Sequence, residues 1–452
     1  MEKVQIIETL KKIGKKAKIV GRVQTIRDHG KILFFDVADD SATVQAVTRE
    51  KLDLSPYDVV EAEGEIRARP KELVNSDLET GTIELAITKV KIVSKSETPP
   101  IPPEGDGYDI EENLRLKYRY LDLRRARLAK NLRLRHRITT LVREFLNNER
   151  FVEIETPYLS KTTPEGARDF LVPSRLNRGK FYALAQAPQQ YKQLLMIAGF
   201  EKYYQVARAF RDEDQRSDRQ FEHTQIDIEM ANVVREDVIK LVEKMFIFLA
   251  RELGRKIFKE PFPTFAYKEA IAKFKKDKFD LRGSKKDNSL AFAWVVDFPL
   301  LEYVAEEKRY TFSHNPFSAP KEEYIADLLS SKNLDKIESW QYDLVLNGEE
   351  LGSGSIRITD PKVQRQVFKV MGYQDQKIEE DFGHLLKAFE YGAPKHGGIA
   401  VGLDRLCAVL CGEKSIREVI AFPTSGSGQT AVMDAPSSVD REVLKELGLK
   451  SV

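Results

Sequence analysis

The stretch Tyr203 to Met230, YYQVARAFRDEDQRSDRQFEHTQIDIEM, constrains the fold of this 452-residue chain more than any other. It opens on aromatic and β-branched residues, closes on QIDIEM, and carries a loop of alternating charges between, so it reads as two strands of one hairpin. Side chains alternate along a strand. Tyr204, Val206, Arg208 and Phe210 therefore share one face, and Gln205, Ala207, Ala209 and Arg211 the other. On the returning strand Ile226, Ile228 and Met230 form an apolar face, and Gln225, Asp227 and Glu229 a polar one. Such a hairpin is either an amphipathic surface element or the floor under a polar ligand, and the stretch alone leaves both open.

The length leaves room for two or three domains. Lys plus Arg number 73 against 71 Asp plus Glu, a net charge of +2, so a nucleic-acid partner would need a local basic face. No window is apolar enough to span a membrane. The start, MEKVQIIETLKKIGKKAK, lacks the apolar core of a secretion signal. The two cysteines, Cys407 and Cys411, fall on one helical face with Leu403 and Leu410, which reads as reduced core packing. A cytoplasmic location is expected.

Residues 17 to about 95 hold five short alternating strands, the pattern of a small OB-type barrel, a fold used for single-stranded nucleic acid. Phe34 beside the Arg27-Asp28-His29-Gly30 loop, Gln45 on the next strand, and Arg67 with Arg69 favour an RNA face; for Phe34 a place in the core is the alternative. The proline-rich SETPPIPPEGDGYD is a semi-rigid linker. Beyond it Leu134, Ile138, Leu141, Val142 and Phe145 fall at helical spacing, with many arginines on other faces that read most simply as solvated. Pro188 suits the first turn of a helix starting near Gln189, which puts Gln189 and Lys192 on one side.

In YDLVLNGEELGSGSIRI, Asn347-Gly348 is a two-residue hairpin turn that sets Val345 opposite Glu350 and makes Asp343 a same-face diagonal neighbour of Glu350. Two carboxylates on one face call for a cation between them, Mg²⁺ with its nucleotide, or else form a solvated acidic edge. HGGIAVGLDRLCAVLC is a small-residue strand entering a helix at Gly402, with Arg405 off the buried stripe; an Arg405–Asp404 surface pair is the bland alternative.

Taken in order, these segments resemble the bacterial-type aspartyl-tRNA synthetases of class II. Phe210-Arg211-Asp212-Glu213 with Gln225-Ile226-Asp227 resembles motif 2, the helix running into FVEIETPYLS motif 1, and GLDR motif 3. The resemblance implies an α+β chain in three parts: an OB-fold anticodon-binding domain at 1–95, a hinge at 96–125, and a class II catalytic domain at 126–452, an antiparallel sheet flanked by helices. It implies ATP as substrate, Mg²⁺, L-aspartate and tRNA(Asp) as partners, and a homodimer through 131–160. Carried over residue by residue, aspartate would meet Glu165, Gln189, Lys192, Arg211, Asp227, His314 and Arg357. ATP would meet Arg211, Asp212, Glu213, Gln220, His223, Glu350, Gly402, Leu403, Asp404 and Arg405, with Arg211 and Arg405 catalytic. Mg²⁺ would sit on Asp343, Glu350 and Ser353, and the anticodon on Arg27, His29, Phe34 and Gln45.

The chain departs from that pattern in two places. A short linker near 282–290 stands where the resembling enzymes carry a whole domain between motifs 2 and 3. His223 stands where they usually have Phe stacked under adenine, so weaker or pH-dependent ATP binding is expected, given an ordinary histidine pKa of about 6.5. His29 resembles the members that charge both tRNA(Asp) and tRNA(Asn); the alternatives are a tRNA(Asp)-only enzyme and a non-charging RNA-binding or adenylate-forming relative. Pointing Glu350 and Arg357 into one site requires a break in strand alternation, expected as a bulge at Gly352-Ser353-Gly354.

Overall fold

The computed structural model describes residues 2–162, 166–284 and 286–450. The chain divides into two units, Met1–Pro102 and Pro103–Val452, with the boundary inside the proline-rich segment. In the first unit β1 (Lys16–Asp28), β2 (Leu33–Ala38), β3 (Thr43–Thr48), β4 (Val59–Ala68) and β5 (Ile83–Ser94) close a barrel in the order β1-β2-β3-β5-β4. Val23, Phe35, Val37, Val44, Ile66 and Leu85 fill it. Phe35 takes the core position, so alternation turns its neighbour Phe34 to the outer face, where the core reading of Phe34 does not hold.

The second unit begins with three helices, α1 (Glu112–Lys117), α2 (Arg119–Asp122) and the long α3 (Ala126–Asn148). Ile138, Leu141, Val142 and Leu146 of α3 are fully buried. Four short strands follow, β6 (Val152–Glu153), β7 (Leu159–Ser160), β8 (Leu171–Pro173) and β9 (Phe181–Leu184), then α4 (Gln189–Ile197) with Pro188 just before it. The motif 2 stretch is the hairpin of β10 (Lys202–Phe210) and β11 (Glu222–Ala231), paired from Lys202–Met230 to Phe210–Glu222. Next come α5 (Arg235–Glu252), β12 (Thr264–Ala266), α6 (Tyr267–Phe274), β13 (Phe292–Val296) and a small hairpin of β14 (Leu301–Val304) and β15 (Arg309–Phe312). After α7 (Ile325–Leu329), β16 (Gln341–Leu346) and β17 (Glu349–Ile356) form a second hairpin. The chain ends with α8 (Pro361–Val370), α9 (Asp375–Phe389), β18 (His396–Gly402), α10 (Leu403–Cys411) and α11 (Arg441–Leu447).

An eight-stranded sheet of order β12-β13-β16-β17-β18-β11-β10-β6 organises this unit; it is antiparallel except at its two outermost pairs. On one side Ile226, Ile228, Tyr342, Leu344, Ile399 and Val401 pack with α3, α5 and α10. The opposite side is apolar toward β13, where Ala293, Val295 and Val345 form a smaller cluster, and polar around β11. Gln225, Asp227 and Glu229 are buried there, so the floor reading of the hairpin holds over the surface reading.

Many arginines of the α1–α3 region are not solvated, which corrects the expectation. Arg115 meets Glu418 at 2.8 Å, Arg119 and Arg125 each meet Asp122 at 2.7 Å, and Arg127 meets Glu413 at 2.6 Å. A planar, multi-donor guanidinium can satisfy a buried carboxylate and nearby carbonyls at once, and Arg119 also donates to the carbonyls of Arg417, Ile420 and Ala421.

Candidate active site

Asn347 and Gly348 turn β16 into β17 with φ of 53° and 92°, the positive values a type I′ turn requires. Val345 pairs with Glu350 as the turn dictates, but Leu344 pairs with Gly352, so Leu351 is an extra residue. The bulge lies at Leu351, one residue earlier than expected, and the Leu351 side chain is buried in the main core. The parity change has the required effect. Glu350, Ser353 and Arg357 all line one cavity of about 730 Å³ over the polar side of the sheet.

That cavity also brings together Gln189, Lys192, Arg211, Glu213, Gln220, His223, Asp227, His314, Gly402, Asp404 and Arg405. Its deep end is a buried charge network. Lys192 Nζ donates to Asp227 Oδ1 at 2.7 Å and lies 3.5 Å from Glu229 Oε2. Arg357 grips the same Glu229 through Nε at 2.9 Å and Nη2 at 3.1 Å. Burial opposes ionisation of Glu229, but Arg357 and Lys192 outweigh it and hold its pKa below the ordinary range. Gln225 Nε2 donates to Asp227 Oδ2 at 2.6 Å. Gln189 Nε2 donates to Gln193 Oε1 at 3.1 Å, leaving the Gln189 carbonyl oxygen as that side chain's acceptor.

The middle of the cavity is cationic. Arg211 brings its guanidinium in from the end of β10; its Nε is buried and has no partner among the described residues. His223, on the Asp227 face of β11, is enclosed, and Arg211 and Arg405 add repulsion, so its pKa falls to about 3. This removes the expected charge change near neutral pH. Arg405, in the first turn of α10, donates through Nη1 to the Glu350 carbonyl. Glu350 Oε2 meets Lys278 Nζ at 2.7 Å.

Asp343 lies behind the wall, 2% exposed, with Oδ1 accepting from Ser353 Oγ at 2.7 Å and from Gln341 Nε2 at 3.1 Å. Its Oδ2 faces His314 Nε2 at 3.1 Å. Burial opposes a charge on His314, but Asp343 prevails and raises the imidazole pKa.

Three residues expected at the nucleotide have partners within the protein. Asp404, which lines the cavity, is buried, accepts the Thr224 backbone N–H at 2.7 Å and pairs with Arg135, so a surface pair with Arg405 does not describe it. The Leu403 side chain belongs to the main core. Asp212 lies 3.8 Å from Arg168. Glu165 lies outside the described residues. Sequence reasoning passed over Glu229 and Gln225, although alternation put both on the Asp227 face, and it passed over Lys278, which carries no motif.

In the first unit Arg27 Nη2 donates to Asp36 Oδ1 at 3.1 Å and to Gln45 Oε1 at 3.3 Å. His29 packs edge-on against Phe34, with ring centroids 5.7 Å apart. The four barrel residues thus share one outer surface.

The family model for class II tRNA synthetases (D, K and N) matches residues 111–426. The chain belongs to that family. A second family model, the OB-fold nucleic acid binding domain, matches residues 17–93. The chain is 39% identical to the aspartate–tRNA(Asp/Asn) ligase of Thermoanaerobacter sp. (strain X514), over 98% of this chain and 97% of that one. It is 36% identical to the aspartate–tRNA ligase of Staphylococcus haemolyticus, over 97% of each. The first alignment spans 575 positions, more than this chain has residues, so the relative carries sequence with no counterpart here. Among solved structures, the aspartyl tRNA synthetase of Entamoeba histolytica has the same fold, with a TM-score of 0.73 at 23% identity over 94% of this chain and 91% of that one. This synthetase is thus an OB-fold domain joined to a class II catalytic domain. No helix among the described residues is long and apolar enough to cross a membrane.

Proposed function

We propose that this synthetase activates L-aspartate with ATP and transfers it to the 3′ end of tRNA(Asp) and of tRNA(Asn). The observation that carries the amino-acid assignment is the convergence of Lys192 and Arg357 on Glu229 at the deep end of the cavity. Two adjacent cations there match the side-chain carboxylate of aspartate. Asparagine lacks that charge and would offer Lys192 and Arg357 only a neutral amide in place of a charge-assisted carboxylate contact, a difference a polar site can turn into selectivity. Asp227 and the Gln189 oxygen are acceptors suited to the ammonium group.

The attacking α-carboxylate is ionised at neutral pH, since free carboxyl groups titrate at about 4, so no general base is needed. Positioning and neutralisation of phosphate charge must lower the barrier. Arg211, a fork with an unused donor, fits the junction of carboxylate and α-phosphate. Arg405 fits the far phosphates, and His223 presents a neutral ring to the adenine. Glu350 and Ser353 line the cavity with hard oxygen donors, and Asp343 stands directly behind with its Oδ1 on the Ser353 hydroxyl, an oxygen-only set that would suit Mg²⁺. Two carboxylates and a hydroxyl do not complete its octahedron, so nucleotide phosphates and water would do so. When bound, the ion neutralises phosphate charge.

Charging of both tRNAs is supported by His29 against Phe34 on the barrel's outer face, beside Arg27 and Gln45. Dimerisation through 131–160 is supported by β6 and β7, where Val152 and Leu159 are 47% and 50% exposed. We place the enzyme in the cytoplasm, and the missing domain at 282–290. The test is aspartyl-tRNA formation with ATP and Mg²⁺ on tRNA(Asp) and tRNA(Asn) transcripts side by side. Charging of both is expected. Charging of tRNA(Asp) alone discards the dual specificity, and charging of neither overturns the reading.

A further inference from the structure

Between α6 and β13 the chain is held tightly where it passes the active site. Phe279 is 2% exposed, stacks on Phe274 at 4.0 Å and meets Phe265 edge-on at 5.3 Å. Arg282 closes on Asp280 at 2.7 Å. A Cβ on Gly348 would lie 3.6 Å from the Asp280 Cβ, so this segment lies against the β16–β17 turn. Phe279 therefore fixes the backbone beside Lys278, whose side chain lines the cavity and places Nζ 2.7 Å from Glu350 Oε2. From the other direction Arg405 donates to the Glu350 carbonyl, and its Nε is buried without a partner among the described residues. The mouth of the cavity thus holds two cations around Glu350, Lys278 on its carboxylate and Arg405 on its backbone carbonyl and 3.5 Å from Asp218, on three separate elements. A half-exposed lysine pair of this kind stabilises a fold little. Its stem is flexible, and a polyanionic triphosphate must enter beside it.

We propose that Lys278 binds the β- and γ-phosphates of ATP in the adenylation step and is the counter-ion of Glu350 when no nucleotide is present. The second half of this assignment rests on reading Glu350 as a metal-binding carboxylate. In the step itself an oxygen of the aspartate α-carboxylate forms a bond to the α-phosphorus. The bond from that phosphorus to the bridging oxygen breaks, and its electron pair leaves on pyrophosphate. No proton moves, and Lys278 meets the charge gathering on the leaving group, as fixed donors do elsewhere in enzymes. Lysine suits a leaving group that must depart, because it acts as a point charge on a movable stem rather than as a rigid fork.

The test compares the full-length enzyme with Lys278→Met and Lys278→Arg by equilibrium binding. The probes are ATP and inorganic pyrophosphate with Mg²⁺ present, a non-hydrolysable aspartyl-adenylate analogue, and Mn²⁺ without nucleotide, read by its electron paramagnetic resonance signal. In Lys278→Met, ATP and pyrophosphate are expected to bind about tenfold to a hundredfold more weakly, the effect of one lost charge-assisted contact. The adenylate analogue, which has no leaving group, binds as before. Mn²⁺ binds more tightly, because Glu350 has lost its competing cation. Lys278→Arg restores most of the ATP and pyrophosphate affinity. A misfolded variant cannot produce effects of opposite sign. Unchanged pyrophosphate affinity in Lys278→Met, or equal weakening of all the ligands, overturns the proposal. Mn²⁺ binding unaltered in Glu350→Gln overturns the metal reading alone, and pyrophosphate binding by Lys278→Met still decides the phosphate role.

Discussion

The two ends of the active-site cavity are built from the same residue types and behave as opposites. At the deep end Lys192, Asp227, Glu229 and Arg357 are all nearly or fully buried and satisfy one another, two cations against two carboxylates. At the nucleotide end Arg211 and Arg405 each keep a buried Nε without a partner among the described residues, and Lys278 meets Glu350 from a half-exposed position. A closed, neutral network fixes geometry before substrate arrives, which suits discrimination between aspartate and asparagine. An open set of donors retains its capacity for an anion, which suits a triphosphate that must bind, react and leave as pyrophosphate. On the function proposed above, specificity and catalysis are divided between a stiff end and an unsatisfied end.

Removing one partner from each end tests that division. Glu229→Gln leaves Arg357 and Lys192 with excess buried charge, and loss of one partner of a buried pair typically costs about 3–5 kcal/mol. The variant is expected to lose that much in denaturant unfolding, with discrimination against asparagine falling as well. A loss below about 1 kcal/mol would show that the deep end is not the stiff one. Arg211→Met should do the reverse. Its guanidinium has no side-chain partner among the described residues, so unfolding free energy should stay within about 0.5 kcal/mol of the parent. Adenylate formation, followed by pyrophosphate exchange, should fall about a hundredfold to a thousandfold, as for other lost transition-state donors.

How far the sequence reveals this site depends on how local the determining contacts are. The polar face of β11, the Asn347-Gly348 turn and the strand-to-helix junction at Gly402 follow from spacings of a few residues, and the structure has all three. The bulge was required by parity but misplaced, because glycines permit irregular backbone whereas the apolar Leu351 side chain decides which residue turns into the core. Long-range pairings were not legible. Arg115 and Arg127 read as solvated because Glu418 and Glu413 lie near the other end of the chain. The pairing of Asp404 with Arg135 and the Thr224 amide joins residues far apart in the chain and was equally hidden. Lys278 belongs to no motif, and only the packing of Phe279 shows where it must reach.

His223 sits between the two ends and sharpens the comparison by the smallest effect. Enclosure, with Arg211 and Arg405 close by, takes its pKa to about 3 in the folded protein, whereas the unfolded chain protonates the same ring at about 6.5. The folded value is the lower one, so the unfolded state gains the proton first as pH falls. Stability is complete above about pH 6.5 and is lost as pH drops toward the folded value, by about 1.4 kcal/mol per unit. His223→Phe removes this dependence. On going from pH 7.5 to 5.5 the parent should lose about 1.4 kcal/mol more than the Phe variant, measured by urea unfolding at each pH. ATP affinity of the parent should show no transition near pH 6.5, because the ring stays neutral throughout that range. A fall in ATP affinity centred near pH 6.5 and absent in His223→Phe would place the imidazole in water rather than between two guanidinium groups. The nucleotide end would then be looser than its unsatisfied donors imply.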